Sequence, residues 1–543
     1  MNKKNNQITG GELIVSSLKN LGVKNCFGVP GESYLAVLDA LFDNNVEFTI
    51  CRQEGAASFA SSAWGKLTGK PGVAFVTRGP GATNACSGVH VAFQDSTPLV
   101  LLIGQVASDQ RDREAFQEIE YRKMFEPLAK WVAEIDRADR IPEYIARAFS
   151  VACSGRPGPV VLALPEDILS ADCSVKDAKP VVDVNQGAHL ATVKTIIEKI
   201  ARAKRPFCIV GGSKWSQKAA NNLEKLSERM SIPVGTSFRC QDFMDNRHPN
   251  YMGDVGLAIN PELGSYIKSA DLILCVGARL GENTTGGYSL LEAPNAANPL
   301  IHVHPDPDEL GRVYTPEISL ACNSFDFLES ALDQSVSVNR DLSPLRKNYY
   351  SWREPYATPG SVKMEQIVLQ LNEVLAEDAI VANGAGNYAA WLHRYFQYKS
   401  FKTQLAPTSG SMGYGIPAAI SAKLERPNTE VVCLAGDGCA QMSIQEFGTA
   451  VQYKANIIII ISNNGVYGTI KMHQERTYPG RTSGTNMLNP DFASLARSYG
   501  GFGETVEKTA EFLPAFERAR SAGKPAIIEL KTNPLALSPQ TPA

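Results

Sequence analysis

A carboxylate and a pair of amides follow two neighbouring apolar segments of the sequence. Residues 431–438 read VVCLAGDG, with Asp437 between two glycines, and residues 456–464 read NIIIIISNN. Apolar runs without alternation predict strands buried on both faces, and ligands bind where parallel strands end. A carboxylate, an amide oxygen such as that of Asn464 and a nearby backbone carbonyl form an oxygen set that suits Mg²⁺. The pattern therefore predicts a metal that bridges to a diphosphate.

The segment between these two strands predicts a helix. Ile444, Phe447 and Val451 recur at helical spacing, and we expect the helix to direct its N-terminal N–H groups at an anion such as phosphate. GDG alone is usually a turn, and Asn-Asn-Gly is also a common turn sequence. Their occurrence together, separated by a helix and a strand, favours a binding site.

The elements that position these residues form three α/β segments. Short apolar runs alternate with helical patterns in residues 1–180, 190–335 and 360–537, and polar stretches broken by Pro and Gly separate the segments. Such alternation is typical of parallel sheets covered by helices. The sequence predicts an α/β protein with three doubly wound parallel-sheet domains.

Composition favours an enzyme that acts on small molecules. The 543 residues are 44% hydrophobic and 20% charged, with a net charge of -3, so nothing favours nucleic acid or an anionic membrane as a partner. Even the longest apolar runs, such as Ile457–Ile461, are too short to span a bilayer, and the polar N-terminus predicts a cytoplasmic location. The 11 cysteines contain no C-x-x-C pair, which indicates neither a disulfide framework nor a thiolate zinc site.

Taken together, the GDG and NN motifs resemble the diphosphate-anchoring motif of thiamine diphosphate enzymes. The stretches RQEGAASFA, TRGPGATNA, AFQE, SGRPGPV, GSMGYGIPAA and LNPDF are similar to the acetolactate synthase branch. The resemblance covers nearly the whole chain. It implies a pyrimidine-binding domain at 1–180, a central Rossmann-like domain at 190–335 and a diphosphate-binding domain at 360–537. It also implies a homo-oligomer, a dimer or a tetramer, because this family completes its site across two subunits.

The resemblance also implies the cofactor residues. Glu54 would hydrogen-bond the pyrimidine ring, Gly410 would offer its carbonyl to the pyrimidine amino group, and Met412 would bend the cofactor; a helix N-terminal acid and a core methionine are the alternatives for Glu54 and Met412. Mg²⁺ would be held by Asp437, Asn464 and the carbonyl of Val466. Other implied cofactor contacts are Gly386, Asn387, Tyr388, Gly436, Gly438 and Cys439.

Three positions of the implied substrate pocket depart from the acetolactate synthase pattern. Glu32 replaces a glycine, Glu166 replaces a lysine, and His473 replaces a tryptophan, although His473 is equally interpreted as a solvated helix residue. The two acids would disfavour an anionic second substrate, since like charges repel in a poorly solvated pocket. The implied pocket also includes Gly31, Phe116, Gln117, Thr469 and Ile470.

The implied reaction is carboligation. Phe116 and Gln117 stand where the pyruvate decarboxylase branch carries adjacent histidines, so the resemblance favours an enzyme that decarboxylates a 2-oxo acid and joins the resulting enamine to a second carbonyl. The alternative is a non-oxidative 2-oxo acid decarboxylase that releases an aldehyde. A non-catalytic scaffold is disfavoured because both Glu54 and Asp437 are present.

The middle segment leaves one cofactor open. IVGGSKWS follows a predicted strand but is not the G-x-G-x-x-G dinucleotide motif. Arg156 matches a flavin-contacting arginine of the acetolactate synthases, yet flavin-free relatives share that stretch, so FAD is possible without a clear motif. His302 and His304 share one strand face, and without a third ligand we expect a structural role for them.

Overall fold

The computed structural model describes residues 7–179 and 187–540, and these residues divide into two compact units. Unit 1 comprises 7–179, Gly413–Pro427 and Ala440–Ile457, and unit 2 comprises 187–412, Asn428–Cys439 and 458–540. The described residues contain three six-stranded parallel sheets with flanking helices, one in unit 1 and two in unit 2. The predicted α/β fold class is confirmed, whereas the domain limits at 180, 190, 335, 360 and 537 stay a prediction.

The first sheet lies in unit 1 and is buried at its centre. Its inner strands carry no exposed residue, which explains their uninterrupted apolar sequences. In spatial order the strands are Glu47–Ile50, Asn25–Gly28, Gly72–Val76, Leu99–Gln105, Pro159–Pro165 and Trp131–Glu134. A separate antiparallel pair joins Ile8–Thr9 to Asp172–Cys173.

The helices of unit 1 begin and end at recognisable caps. Thr9 and Glu12 form a capping box at the start of the first helix, and Gly69, with φ of 77°, ends the helix that begins at Glu54. The helices are Gly10–Asn20, Leu35–Phe42, Glu54–Thr68, Pro80–Asp95, Tyr121–Phe125, Ile141–Cys153, Glu166–Ser170, Gly415–Glu425 and Phe447–Gln452.

The central sheet lies in unit 2. Its strands, in spatial order, are Tyr251–Val255, Val234–Ser237, Pro206–Val210, Leu272–Val276, Leu300–His304 and Ile318–Ala321. The helices of this region are Leu190–Arg202, Gln217–Met230, Pro261–Lys268, Ser324–Leu332 and Ser343–Trp352. Within residues 7–179 and 187–540, every helix is too short or too polar to cross a bilayer.

The two histidines of the central sheet are buried in its strand Leu300–His304. His302 Nε2 donates to the carbonyl of Ala278 at 3.0 Å, and His304 Nδ1 accepts from the N–H of Asp306 at 3.0 Å. Burial lowers the pKa of His302, and it lowers that of His304 to about 4. The described residues hold no cluster of three metal-binding side chains, and these backbone contacts support a structural role.

The third sheet, also in unit 2, carries the GDG and NN motifs. Its strands are Gln404–Leu405, Ile380–Asn383, Val431–Gly436, Ile458–Asn463, Ala526–Lys531 and Phe502–Val506. The helices of this region are Met364–Val374, Ala389–Tyr395, Gly468–Thr477, Phe492–Ser498 and Phe512–Ser521. Gly436 pairs with Ser462 in parallel register, so Asp437 and Asn464 follow adjacent strands at the same edge, as predicted.

The helical segment predicted through Ile444, Phe447 and Val451 is present, as a 3₁₀ turn at Ile444–Glu446 that continues into the helix Phe447–Gln452. It does not directly follow the strand, because a separate five-residue helix, Asp437–Gln441, comes first. Ser443 lies between the two, with φ of -148°, and donates through its Oγ to the carbonyl of Gly413 at 2.7 Å. The helix that follows the strand therefore begins at Asp437 itself.

Candidate active site

A cleft of about 230 Å³ opens at the carboxyl edge of the third sheet, within unit 2. It collects most of the predicted cofactor residues together with two predicted pocket residues. They are Gly386, Asn387, Tyr388, Gly410, Met412, Gly436, Asp437, Gly438, Cys439, Asn464, Val466, Thr469 and Ile470. Residues that lie far apart in the sequence are therefore brought together by strand ends and the loops that follow them.

The Asp437 carboxylate is buried and held in one orientation. Its Oδ1 accepts from the N–H of Gly438 at 2.8 Å, and its Oδ2 accepts from the N–H of Gly465 at 2.8 Å and from Asn489 Nδ2 at 2.7 Å. Burial raises the pKa of Asp437, while these donors oppose the rise. Asn489 belongs to the LNPDF stretch, where sequence reasoning gave it no role.

The loop after the strand Ile458–Asn463 turns back toward Asp437. Gly465 adopts a left-handed φ of 68°, a conformation that favours glycine, and its N–H reaches the Asp437 carboxylate. Asn464 Oδ1 accepts from the N–H of Val466 at 3.1 Å. The predicted metal ligands Asp437, Asn464 and Val466 thus line one cleft.

The glycines that flank Asp437 are required by packing against two tyrosines. A Cβ on Gly436 would lie 2.8 Å from the Tyr388 ring, and a Cβ on Gly438 would lie 2.7 Å from the Tyr467 ring. The Tyr388 hydroxyl accepts from the N–H of Gly384 at 3.0 Å and donates to Cys439 Sγ at 3.3 Å. These tyrosines form rigid walls of the cleft.

Hydrogen bonds between Asn387 and Thr469 connect the two segments of the cleft wall that carry these residues. The Asn387 N–H donates to Thr469 Oγ1 at 3.0 Å, and Thr469 Oγ1 donates to Asn387 Oδ1 at 2.9 Å. His473 lies further along the helix Gly468–Thr477, is exposed, and accepts through Nδ1 from Arg476 at 2.8 Å. It is not among the residues that line the cleft, and this position favours the interpretation as a solvated helix residue.

Glu54 lies in unit 1 as the first residue of the helix Glu54–Thr68. Gln53 caps this helix, since its side-chain oxygen accepts from the N–H of Ala56 at 3.0 Å. Glu54 Oε2 accepts from Asn84 Nδ2 at 2.9 Å. Asn84 comes from the TRGPGATNA stretch, so a motif that predicted the family also supplies a partner of Glu54 that sequence reasoning missed.

The two predicted pocket acids of unit 1 share one arginine. Arg78 Nη1 is paired with Glu166 Oε1, and Arg78 Nη2 lies 4.0 Å from Glu32 Oε1. The Arg78 side chain is only 11% exposed, and its Nε donates to the carbonyl of Phe116 at 3.1 Å. A largely buried guanidinium therefore lies next to both acids and offsets part of their charge.

The other predicted pocket residues of unit 1 are distant from this arginine in the sequence but lie near it or near its chain neighbours Thr77 and Gly79 in space. Phe116 is 70% exposed, and Gln117 has a left-handed φ of 64°. A Cβ on Gly79 would lie 2.8 Å from Gln117 Cβ, and one on Gly31 would lie 2.5 Å from Thr77 Cβ. Gly31 thus owes its identity to packing against its own neighbours.

Arg156, which matches a flavin-contacting arginine of the acetolactate synthases, makes its contacts within unit 1. Its Nε donates to Ser96 Oγ at 2.9 Å, and its Nη2 donates to the carbonyl of Phe93 at 2.6 Å. The guanidinium also lies 5.0 Å from the centre of the Phe93 ring. These contacts account for its burial without a ligand.

Comparison with protein families matches three consecutive parts of the chain. Residues 8–124 match the N-terminal thiamine pyrophosphate (TPP) binding domain of thiamine pyrophosphate enzymes, residues 193–330 match their central domain, and residues 384–530 match their C-terminal TPP binding domain. Thiamine pyrophosphate is another name for thiamine diphosphate. The cleft beside Asp437 lies within the C-terminal match.

Curated relatives match over nearly their whole length. The chain is 31% identical to an acetolactate synthase large subunit of Haemophilus influenzae, over 95% of this chain and 92% of that protein. It is also 31% identical to the acetolactate synthase isozyme 3 large subunit of Escherichia coli, over 95% and 93% of the two chains. A probable acetolactate synthase large subunit of Methanococcus aeolicus is 30% identical, over 97% and 92%. The chain therefore belongs to the thiamine pyrophosphate enzyme family, in the branch similar to acetolactate synthase large subunits.

Proposed function

We propose that this thiamine diphosphate enzyme requires Mg²⁺, decarboxylates a 2-oxo acid and joins the remaining fragment to a second carbonyl compound. The relatives named as acetolactate synthases support this reaction class. The observation that carries the proposal is the fixed Asp437 carboxylate in a cleft shared with Asn464 and Val466. We also propose that the protein works in the cytoplasm as a homo-oligomer, a dimer or a tetramer.

The residues of the cleft fit a metal-bound diphosphate. Asp437 is 3% exposed, and its hydrogen-bond donors are neutral: two backbone N–H groups and the Asn489 amide. A buried carboxylate with only neutral partners is costly, and a divalent cation would compensate its charge. Oxygen ligands from Asp437, Asn464 and the Val466 carbonyl suit Mg²⁺, which also binds phosphate oxygens.

When bound, thiamine diphosphate supplies a nucleophilic carbon that adds to the 2-oxo acid and accommodates the electrons left when CO₂ departs. Glu54 would hold a proton at a pyrimidine nitrogen of the bound cofactor, and the Asn84 amide keeps the Glu54 carboxyl in place. The Gly410 carbonyl would accept from the pyrimidine amino group. Met412, which packs against the apolar core of its unit, would provide an apolar contact for the cofactor.

The acceptor that we propose is a neutral carbonyl compound. Arg78, Glu32 and Glu166 together keep one net negative charge, because one guanidinium faces two carboxylates. This charge disfavours a second anion less strongly than two free acids would. An aldehyde acceptor, which yields a 2-hydroxy ketone, fits this field better than a second 2-oxo acid.

Simple decarboxylation is the second candidate function, and one observation favours it. Phe116, an implied apolar wall of the pocket, is 70% exposed. A pocket open to water at this wall would allow protonation of the donor fragment before an acceptor arrives, and an aldehyde would be released.

Product identification tests the proposal. The holoenzyme is incubated with a panel of 2-oxo acids, alone and with aldehydes, and the products are identified by mass. We expect 2-hydroxy ketones when an aldehyde is present. Aldehyde as the sole product would support the decarboxylase, and rapid formation of acetolactate from pyruvate alone would contradict the neutral acceptor. A protein that turns over no 2-oxo acid would refute both reactions.

A further inference from the structure

A buried carboxylate of the third sheet has no part in the site as described so far. Glu529 is 0% exposed in the strand Ala526–Lys531, whose neighbouring residues are apolar. Its Oε1 accepts from Asn463 Nδ2 and from Lys531 Nζ, each at 2.6 Å, and its Oε2 accepts from Thr505 Oγ1 at 3.1 Å. Burying a charge is costly unless it is paired, and Lys531 supplies the pairing cation. The hydrogen bond from Asn463 is the contact that leads from Glu529 toward the cleft.

Two asparagine amides connect Glu529 to Asp437. Asn463 Oδ1 accepts from Asn489 Nδ2 at 2.7 Å, and the same Asn489 nitrogen donates to Asp437 Oδ2 at 2.7 Å. The resulting path Glu529–Asn463–Asn489–Asp437, here called the amide relay, crosses the ends of three adjacent strands. It links two carboxylates that are not in contact with each other through a complete set of short hydrogen bonds.

The charge of Glu529 sets the direction of every bond in the amide relay. An ionised carboxylate only accepts, so Asn463 must turn its NH₂ group to Glu529 and its oxygen to Asn489. Asn489 must then present its own NH₂ group to Asn463 and to Asp437. Without Glu529, the Asn463 amide has no reason to prefer this orientation over its flipped form.

The amide relay ends in a hydrogen bond to the Asp437 carboxylate. Asn489 and Gly465 both donate to Oδ2, and Gly438 donates to Oδ1. Loss of the Asn489 contact would leave the carboxylate with two of these three donors and so hold its orientation less firmly, and a ligand that is less well oriented binds a cation less tightly.

We propose that Glu529 is a positioning residue for the divalent cation, which it serves by fixing the orientation of Asp437 through Asn463 and Asn489. This inference rests on the proposed function, in which Asp437 binds Mg²⁺. It assigns a purpose to a buried acid two strands away from the cation and to the first asparagine of the NN pair, which is not itself a proposed metal ligand.

The test measures Mg²⁺ affinity rather than turnover. Protein stripped of metal with a chelator is titrated with Mg²⁺ at a fixed, saturating concentration of thiamine diphosphate, and binding is followed by calorimetry. E529Q, N463A and N489A should each weaken Mg²⁺ binding by about 10-fold or more, as is usual when a partner of a metal ligand is removed. N463A keeps the Glu529 charge, so its effect separates the amide relay from a long-range electrostatic attraction.

Thr505→Val is the matched control. It removes the hydrogen bond from Thr505 to Glu529 Oε2 but leaves the amide relay intact, so we expect Mg²⁺ affinity close to that of the wild type. The double variant E529Q/N463A should bind no more weakly than the worse single variant, because both changes interrupt one path. Thermal unfolding checks that E529Q is folded, and if it is not, N489A, in an irregular loop, carries the test.

Three outcomes contradict the inference, and one of them also refutes the proposed function. Wild-type Mg²⁺ affinity in N463A and N489A would show that the amide relay has no role. An equal loss in T505V would reveal a general weakening of the sheet instead of positioning. If the wild-type protein itself binds thiamine diphosphate without any dependence on Mg²⁺, the metal assignment fails and this inference fails with it.

Discussion

Asp437 and Glu529 are both buried carboxylates, yet their hydrogen-bond partners differ in charge. Glu529 has the Lys531 ammonium at 2.6 Å, so its charge is balanced within the protein. Asp437 is held by neutral donors, so its charge is left for a ligand. The sequence predicts Asp437 from the GDG motif, but the letters around Glu529 do not distinguish it from an exposed strand residue.

Replacing Asp437 with alanine should abolish retention of the cofactor. The substitution removes the carboxylate that compensates the cation, while Gly438 and Gly465 lose their acceptor. Calorimetry with thiamine diphosphate and Mg²⁺ measures the loss, and the conservative variant Asp437→Asn should bind weakly. Unchanged affinity in Asp437→Ala would show that the diphosphate is anchored elsewhere.

Replacing Glu54 with glutamine should slow activation of the cofactor while the protein still binds it. A positioned proton-transfer group contributes about 100-fold or more, so we expect a loss of at least that size in turnover and in hydrogen–deuterium exchange at the thiamine C2 position. Asn84→Ala, which removes the partner of Glu54, should have a smaller effect. Wild-type exchange in the glutamine variant would refute the role of Glu54.

Replacing Arg78 with glutamine should impair binding of the anionic donor. The change leaves Glu166 and Glu32 without their cation, so the KM for a 2-oxo acid should rise roughly tenfold with little change in kcat. The double variant R78Q/E166Q should recover part of the loss. An unaltered KM in both variants would place these three residues outside the substrate pocket.

At the scale of elements, buried strands are predictable and edge strands are not. Val431–Gly436 and Ile458–Asn463 both begin with uninterrupted buried apolar runs, so their sequences predict buried strands. Trp131–Glu134, Ile318–Ala321 and Phe502–Val506 lie at sheet edges with mixed exposure. Their short, half-polar sequences lack the period that would have distinguished them from loops.

A local hydrogen bond explains why the helical segment through Ile444, Phe447 and Val451 does not directly follow the strand. Ser443 bonds to Gly413 and separates this segment from the preceding helix Asp437–Gln441. Gly413 is distant in sequence, so its carbonyl could not enter a prediction based on spacing. Arg78 and Asn489 were missed for the same reason, because their importance lies in contacts made by folding.

Gly88→Ala tests the close contact between the two helices that carry Glu54 and Asn84. A Cβ on Gly88 would lie 2.1 Å from Ser58 Oγ and 2.5 Å from the Ser58 backbone carbon. Overpacking of this kind costs about 1–3 kcal/mol, so thermal unfolding should occur at a lower temperature. Gly264→Ala is the control, since its Cβ would find its nearest atom at 3.8 Å; equal stability of the two variants would contradict the packing argument.

At the scale of the whole molecule, Asp254 should make stability depend on pH. Its Oδ1 is buried and makes no hydrogen bond among the described residues, and burial raises its pKa from 3.8 to about 7 against the influence of Arg239. The folded state therefore favours the protonated acid, and its contribution to stability is complete below pH 4 and is lost as pH rises through 7. Asp254→Asn should melt a few degrees higher than the wild type at pH 8.

The same variant supplies its own control at low pH. Because Asp254 is protonated in the folded wild type at pH 5, the difference in melting temperature between wild type and Asp254→Asn should shrink there. A difference that stays constant from pH 5 to pH 8 would contradict the assignment of this pH dependence to Asp254.

The chain carries both the residue that the family resemblance implies for the pyrimidine ring and the one that it implies for the metal. The first, Glu54, lies in unit 1, and the second, Asp437, lies in unit 2. The motifs and the family resemblance predicted residues of unit 2 that the structure brings into one cleft, because strand ends and glycine turns can be recognised from local sequence. The pairing of Glu32 and Glu166 with Arg78 could not be predicted in this way, because it is made by folding.

The most direct test of the central claim is the yield of ligated product per CO₂ released. Protein stripped of thiamine diphosphate and Mg²⁺ is given a 2-oxo acid and an aldehyde, and CO₂ and products are quantified before and after each component is restored. We predict CO₂ release only when both components are present, with one 2-hydroxy ketone formed for each CO₂. CO₂ release without them, or release of one free aldehyde for each CO₂, would contradict a thiamine diphosphate- and Mg²⁺-dependent carboligase.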